Sequence, residues 1–203
     1  MQDIELEQAI EVLLAHTTPV METERVPLLD ALGRVAAEDV YAAFDNPPFD
    51  RSPLDGYTFA AASTEDASAE HPVRLTVVGE ECAGDFFAGA VGAGECVRIM
   101  TGGAIPAGCD CVVRQEDVRE EGTAIFVPFT SQPFENYCYA GEDIKKDTLL
   151  LAKGQRIRAS QIAVLASEGH ADVCVHRRVR IAVASTGDEL LQPGEPLRPG
   201  KIY

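Results

Sequence analysis

Four short segments of this sequence set polar side chains beside glycine or proline, where a stiff or tightly turned backbone can aim them. In residues 46–57, NPPFDRSPLDGY, paired prolines stiffen an extended approach, and Gly56 reads as permitting a turn immediately after Asp55. A carboxylate held on such a loop can ligate magnesium or act as a base; the plainer alternative is an Asx turn. In residues 98–113, RIMTGGAIPAGCDCVV, the Thr101 hydroxyl precedes Gly102 and Gly103. A hydroxyl beside unhindered backbone amides suits an anion-binding concavity for phosphate or another oxyanion, and a flexible hairpin turn fits as well. The spacing and the missing lysine exclude a P-loop.

The third segment, GEDIKK at 141–146, carries adjacent Glu142 and Asp143. Neighbouring acids on an extended chain point to opposite faces, so one of them at most is expected to enter a given site, and Asp143 is the choice; an exposed turn is the alternative. The fourth, STGDELLQPGEPLRPGKIY at 185–203, begins where the apolar run VRIAVAS ends. Open α/β sheets gather ligands beyond the carboxyl ends of their strands, which makes Ser185, Thr186, Asp188 and Glu189 binding candidates. Thr186 also suits a helix cap.

The elements that must position these side chains follow from periodicity. Leu6, Ala9, Ile10, Leu13 and Leu14 recur at helical spacing and predict an amphipathic helix that needs a partner surface. Pro27 is expected to start a second helix, with Leu28, Leu29 and Leu32 as its apolar side and Gly33 as its stop, followed by an extended stretch from Val35 to Tyr41. From Asp45 to about Ala140 the short runs RLTVVGE, ECVRIM, CDCVVRQ and TAIFVP, separated by glycine, proline and acidic turns, predict a small all-β unit. Beyond it TLLLAKGQRI reads as strand and turn, Ser160 as the cap of a helix ending near Gly169, and ADVCVH as a strand. VRIAVAS is expected to be a strand of a doubly covered parallel sheet. A right-handed crossover to a parallel neighbour takes about thirty residues, and eighteen follow this run, so the sequence is expected to be a piece whose last domain is incomplete.

Charge and composition narrow the functional classes. With 17 lysine and arginine residues against 33 acids, a net charge of −16 disfavours a sequence-independent grip on nucleic acid or anionic membrane. Lys145, Lys146 and the run Arg177, Arg178, Arg180 lie among acids and read as solvated faces. The first residues, MQDIELEQAIEVLLA, have neither a basic leader nor an unbroken apolar span, so a cytoplasmic location is expected. The 6 cysteines, with no CxxC pair, are expected to be reduced and mostly buried, Cys109 and Cys111 sharing one face of a strand.

Read in order, LLDALGRVAAEDV, PPFDRSPLDGY, RIMTGGAIPAGCDCVVRQED, GEDIKK with LLAKGQRIRASQIAVLASEG, and STGDELLQPGEPLRPGKIY resemble the molybdopterin molybdenumtransferase family, which includes bacterial MoeA and the E domain of gephyrin. Cys138 stands where that family usually has arginine. The resemblance implies a multidomain α+β fold. An elongated linker domain (21–46 and 141–178) would carry an inserted β-rich domain (47–140). Residues 1–20 would be a helix packed on a third, α/β, pterin-binding-like domain, of which 179–203 would be only the first strand and loop. It further implies transfer of molybdate to adenylylated molybdopterin with release of AMP and help from Mg²⁺, in a homodimer. This chain alone would be inactive. Motif by motif, Asp55, Thr101, Asp143 and Glu189 fall on the family's active-site cleft, with Asp55 and Glu189 as metal ligands and Ser185, Thr186 and Asp188 as cofactor contacts. Two other readings stay open: a non-catalytic dimerisation or scaffold module, and a small oxyanion-binding module built on the Thr101 turn.

Overall fold

A computed structural model describes residues 4–203. In it the chain runs α1 (Leu6–Ala15), β1 (Thr23–Pro27), a one-turn 3-10 helix (Leu28–Ala31), β2 (Val40–Tyr41), β3 (Gly56–Phe59), β4 (Val73–Glu81), β5 (Glu95–Ile99), β6 (Cys111–Arg114), β7 (Arg119–Glu121), β8 (Ala124–Val127), β9 (Leu149–Leu151), α2 (Ala159–Ser167) and β10 (Asp172–His176). The result is a mixed, sheet-rich fold with two α-helices among the described residues.

The four apolar runs between Asp45 and Ala140 become β4, β5, β6 and β8 of a six-stranded sheet ordered β6-β3-β5-β4-β8-β7. Its pairs are antiparallel except β4 with β5. Side chains of Tyr57, Phe59, Leu75, Cys96, Cys111, Val113, Ile125 and Val127 pack together as its core. Each large apolar side chain removed from water there contributes about 1.5–3 kcal/mol.

β3 was not foreseen, and its burial explains why. All four residues of GYTF are buried between β5 and β6, so no polar face alternates along it to betray a strand. Gly56 corrects the expected turn: it is the first residue of β3, in register with Ile99 on one side and Arg114 on the other. Glycine is needed for close approach, because a Cβ there would lie 1.9 Å from the Val113 carbonyl oxygen.

A second core brings the two ends of the chain together. β1 pairs antiparallel with β10, Val26 opposite Val173, and β2 pairs with β9. Leu28, Ala31, Ala36, Leu151, Ile157, Leu165, Val173 and Val175 are buried between these ribbons and α2. The chain passes between the two cores as an antiparallel pair: Ala42 N donates to Thr148 O at 2.9 Å, Asn46 N to Ile144 O at 2.7 Å, and Gly141 N to Pro47 O at 2.8 Å. Gly141 has φ +69°, and a Cβ there would meet the Asp45 side chain at 2.9 Å, so a larger residue at this crossing would be strained.

Three local expectations are corrected. The helix expected from Pro27 is the single 3-10 turn, because Pro27 still belongs to β1 and Gly33 turns left-handed at φ +77°; Leu28 is buried while Leu29 is 81% exposed. α2 is capped by Arg158, whose backbone N donates to Gln161 Oε1 at 3.0 Å, and Ser160 lies inside the first turn. α1 forms as predicted but buries none of its residues, leaving its apolar stripe without a partner among the described residues. VRIAVAS is not a strand: no described residue pairs with it, and Val179, Ile181 and Val183 are largely exposed. An extended segment with unpaired amides and carbonyls has nothing to define it as sheet. No described helix is long and apolar enough to cross a membrane.

Candidate active site

The loop before β3 is the centre of the site, and it is held on both flanks. Arg51 exchanges backbone hydrogen bonds with Cys138, Arg51 N to Cys138 O at 2.9 Å and Cys138 N to Arg51 O at 3.1 Å. On the other side Ser52 N donates to Gly103 O at 3.0 Å, Gly102 N to Ser52 O at 2.8 Å, and Ile105 N to Asp50 O at 2.9 Å. Three of the four chemically promising segments, separated by tens of residues in sequence, therefore lie side by side with 50–55 in the middle.

Asp55 and Thr101 meet directly. The Thr101 backbone N and its hydroxyl both donate to Asp55 Oδ1, each at 2.7 Å. These two bonds, the backbone one first, hold the Asp55 carboxyl below the ordinary aspartate range. Its second oxygen, Oδ2, accepts no hydrogen bond among the described residues. Neither the Asx turn nor the anion concavity is realised. The turn's amides are already spent on protein acceptors, Thr101 on Asp55, Gly102 on Ser52 O and Gly103 on Met100 O at 2.8 Å. Gly102 supplies the left-handed φ of +85°, and at Gly103 a Cβ would be tight, 3.0 Å from Met100 O.

Asp143 lies on the other flank of the same loop. Its backbone N donates to Asn46 O at 3.0 Å, and its exposed carboxylate reaches the Arg51 guanidinium at 3.5 Å. Glu142 instead neighbours the Cys138 thiol, which burial and that carboxylate push above its ordinary value. The two acids thus face different partners along one edge.

The fourth segment stays apart. Every hydrogen bond made by 187–203 is internal to it, including Leu191 N to Ile202 O at 2.7 Å, Ile202 N to Glu189 O at 2.8 Å and a bond from Lys201 Nζ to Asp188 O. Ser185 and Thr186 are exposed and lie outside helix and strand, so Thr186 caps nothing. Glu189 is not brought to Asp55, and no group of three potential metal ligands occurs among the described residues.

Residues 4–169 match the family model of the MoeA N-terminal region, domains I and II. The chain belongs to that family. It is 41% identical over 193 residues to the molybdopterin molybdenumtransferase of Bacillus subtilis, covering 93% of this chain and 45% of that protein. The transferase of Haemophilus influenzae is 36% identical over 200 residues, with 98% and 48% covered. A crystal structure of a molybdopterin biosynthesis MoeA protein from Pyrococcus horikoshii superposes with TM-score 0.82 at 40% identity, covering 98% of this chain and 51% of that one. The chain spans about half the length of the relatives it matches.

Within this MoeA-type region, sequence reasoning missed the residues that tie the cleft together. Asp50 accepts from the Tyr137 hydroxyl at 2.6 Å and from Ala140 N at 2.8 Å, fastening the central loop to the 137–143 flank. Its cue was modest: an acid directly before the lone arginine of the loop. Lys145, Lys146 and Arg180 are exposed, as expected of solvated faces. Arg177 and Arg178 instead join Arg34, Lys153 and Arg156 around a groove of about 780 Å³ beside Val20 and Met21. Residues 34, 153 and 178 are far apart in sequence, so this gathering was invisible to a charge count.

Proposed function

We propose that this chain supplies the carboxylate side of the active site of a molybdopterin molybdenumtransferase, an enzyme of molybdenum cofactor biosynthesis. The reaction puts molybdate onto the dithiolene of adenylylated molybdopterin and releases AMP. The observation that supports this reading is that two distant segments flank the loop 50–55, whose exposed carboxylate, Asp55, has one oxygen pinned by Thr101 and the other open.

A nucleotide-pterin is a polyanion, and bare carboxylates repel it. Magnesium prefers one or two carboxylates plus substrate oxygens to an all-protein cage, and the open oxygen of the Asp55 carboxylate suits that role. Asp55 Oδ2 is the ligand we assign to it, and Glu189 is the second carboxylate once 185–189 is brought to the cleft. Bound Mg²⁺ would offset phosphate charge and polarise the scissile bond. Thr101 acts by positioning: two donors on Oδ1 fix the rotation of the carboxyl and keep it ionised. Asp143 borders the substrate, while Ser185, Thr186 and Asp188 contact the cofactor.

The same reading divides the chain into a linker domain (21–46 and 141–178), an inserted β-rich domain (47–140) and parts of a third, α/β domain (1–20 and 179–203), with α1 packed on the last. It assigns a cytoplasmic homodimer and no nucleic-acid or membrane partner. The 203 residues alone are expected to be inactive. Adenylylated molybdopterin and molybdate, incubated with the polypeptide carrying this sequence, should release AMP in the presence of Mg²⁺ and not with a chelator; release that ignores the chelator contradicts the assignment. The 203-residue chain by itself should release none.

A second reading rests on the bare apolar face of α1, where Leu6, Leu13 and Leu14 are each about two-thirds exposed. As a non-catalytic dimerisation module the chain would form a stable dimer indifferent to magnesium and nucleotide. A monomer in light scattering counts against it.

A further inference from the structure

We infer that Arg51 is the substrate-anion contact of the cleft, a guanidinium that exchanges Asp143 for a phosphate or oxymetal anion when substrate arrives. The inference deepens the transferase reading and rests on it for the identity of the substrate, though not for the binding of an anion.

The first support is electrostatic. Across the three segments 46–57, 98–113 and 137–146 the acids are Asp50, Asp55, Asp110, Glu142 and Asp143 and the cations Arg51, Arg98, Lys145 and Lys146. Arg98 pairs with Glu80 at 4.0 Å, and Lys145 Nζ donates to Ala140 O at 3.0 Å. Two of the acids are already occupied by protein donors, Asp50 by Tyr137 and Ala140, and Asp55 by Thr101. Arg51 is thus the cation carried by the central loop itself, four residues before Asp55.

The second is geometric. Arg51 is the middle residue of the three-segment ladder, bridged to Ala104 on one side and Cys138 on the other. With its backbone held on both flanks, its side chain projects from a fixed point four residues from Asp55 and across from Asp143. The guanidinium keeps 40% of its surface, so it is presented and not consumed by the core.

The third is energetic. Its one ion pair, with Asp143 at 3.5 Å, is long and exposed, with 63% of the Asp143 side chain open to solvent. Such pairs contribute little, whereas guanidinium binds phosphate-like anions through two parallel charge-assisted hydrogen bonds. A weak resting partner holds Arg51 aimed along the cleft without competing strongly for it. Mg²⁺ on Asp55 and Arg51 from the neighbouring position would then approach one anion from two sides.

The test is calorimetric binding of two probes in separate arms, inorganic pyrophosphate and molybdate, at low ionic strength. Arg51→Gln should weaken the tighter probe at least tenfold with an unchanged melting midpoint, Arg51→Lys should recover part of the loss, and Asp143→Asn should bind as well as wild type or better. The preferred probe tells whether the phosphate or the oxymetal anion sits on Arg51. Wild-type affinity in Arg51→Gln, no binding of either probe by the wild type, or equal losses in Arg51→Gln and Asp143→Asn each overturns the inference. Should Arg51→Gln fail to fold, Arg51→Lys decides, because the loss of two-point geometry should itself weaken the probe several-fold and an unchanged affinity refutes it. Anion binding that depends on Arg51, with no AMP release by the wild-type polypeptide carrying this sequence, would sink the transferase reading and leave Arg51 standing. Unimpaired AMP release by Arg51→Gln would do the reverse.

Discussion

Thr101 grips Asp55 twice on a single oxygen, backbone N and Oγ1 each 2.7 Å from Oδ1. Both residues are exposed, so this grip does little for the core; its effect is on the carboxylate itself, which is turned to one orientation and stays ionised.

The pH behaviour of that pair follows. Because the folded-state value of Asp55 is depressed below its ordinary 3.8, the stabilisation is complete above the unfolded value and fades as pH falls through the folded one. Carboxyl-carbon NMR titration should give Asp55 a midpoint below that of a free aspartate, and Thr101→Val, which keeps the amide but loses the hydroxyl, should bring it part of the way back. An Asp55 midpoint indifferent to Thr101→Val would show that the hydroxyl bond is not formed.

Gly56 offers a stability test of the same loop. A methyl group 1.9 Å from the Val113 carbonyl oxygen has no room, and β3 is locked between β5 and β6. Gly56→Ala should cost about 3 kcal/mol or prevent folding, as overpacking of a rigid site does. A wild-type denaturation midpoint would mean that β3 is not where it is described.

The two cores should answer separately from the surface. Phe59→Ala in the six-stranded sheet should cost about 3–5 kcal/mol and Leu165→Ala under α2 about 2–5 kcal/mol, since both side chains are fully buried. Leu13→Ala on α1, 67% exposed, should change stability by less than about 0.5 kcal/mol. A large loss at Leu13 in urea unfolding would reveal that α1 is covered by a partner surface.

Cysteine reactivity checks the burial pattern at low cost. Burial pushes the Cys96 and Cys111 thiols up to about 12, so neither is thiolate near neutral pH. Native-state labelling with a thiol reagent should modify partly exposed Cys82 and Cys174 well before them. Equal labelling rates would contradict the packing of β5 and β6.

The strands β4, β5, β6, β8 and β10 were legible because apolar runs bounded by turns carry their own signal, and the Asp55, Thr101 and Asp143 segments were legible because glycine and proline mark constrained backbone. β3 was hidden because burial on both faces erases alternation. The Asp55–Thr101 bond and the bracing of Arg51 by Cys138 and Ala104 were hidden because they join residues tens of positions apart, a relation no local pattern encodes. VRIAVAS misled for the complementary reason: its composition suits a sheet, but a strand exists only with a neighbour to pair with.

Asp55 is the carboxylate proposed to meet metal and substrate. AMP release from adenylylated molybdopterin with molybdate and Mg²⁺ should be measured for the polypeptide carrying this sequence, wild type against Asp55→Asn, which preserves the shape of the side chain and one acceptor oxygen for Thr101. The rate should fall at least a hundredfold, about 2.7 kcal/mol of barrier, with no change in melting midpoint; a variant that releases AMP at the wild-type rate would contradict the claim.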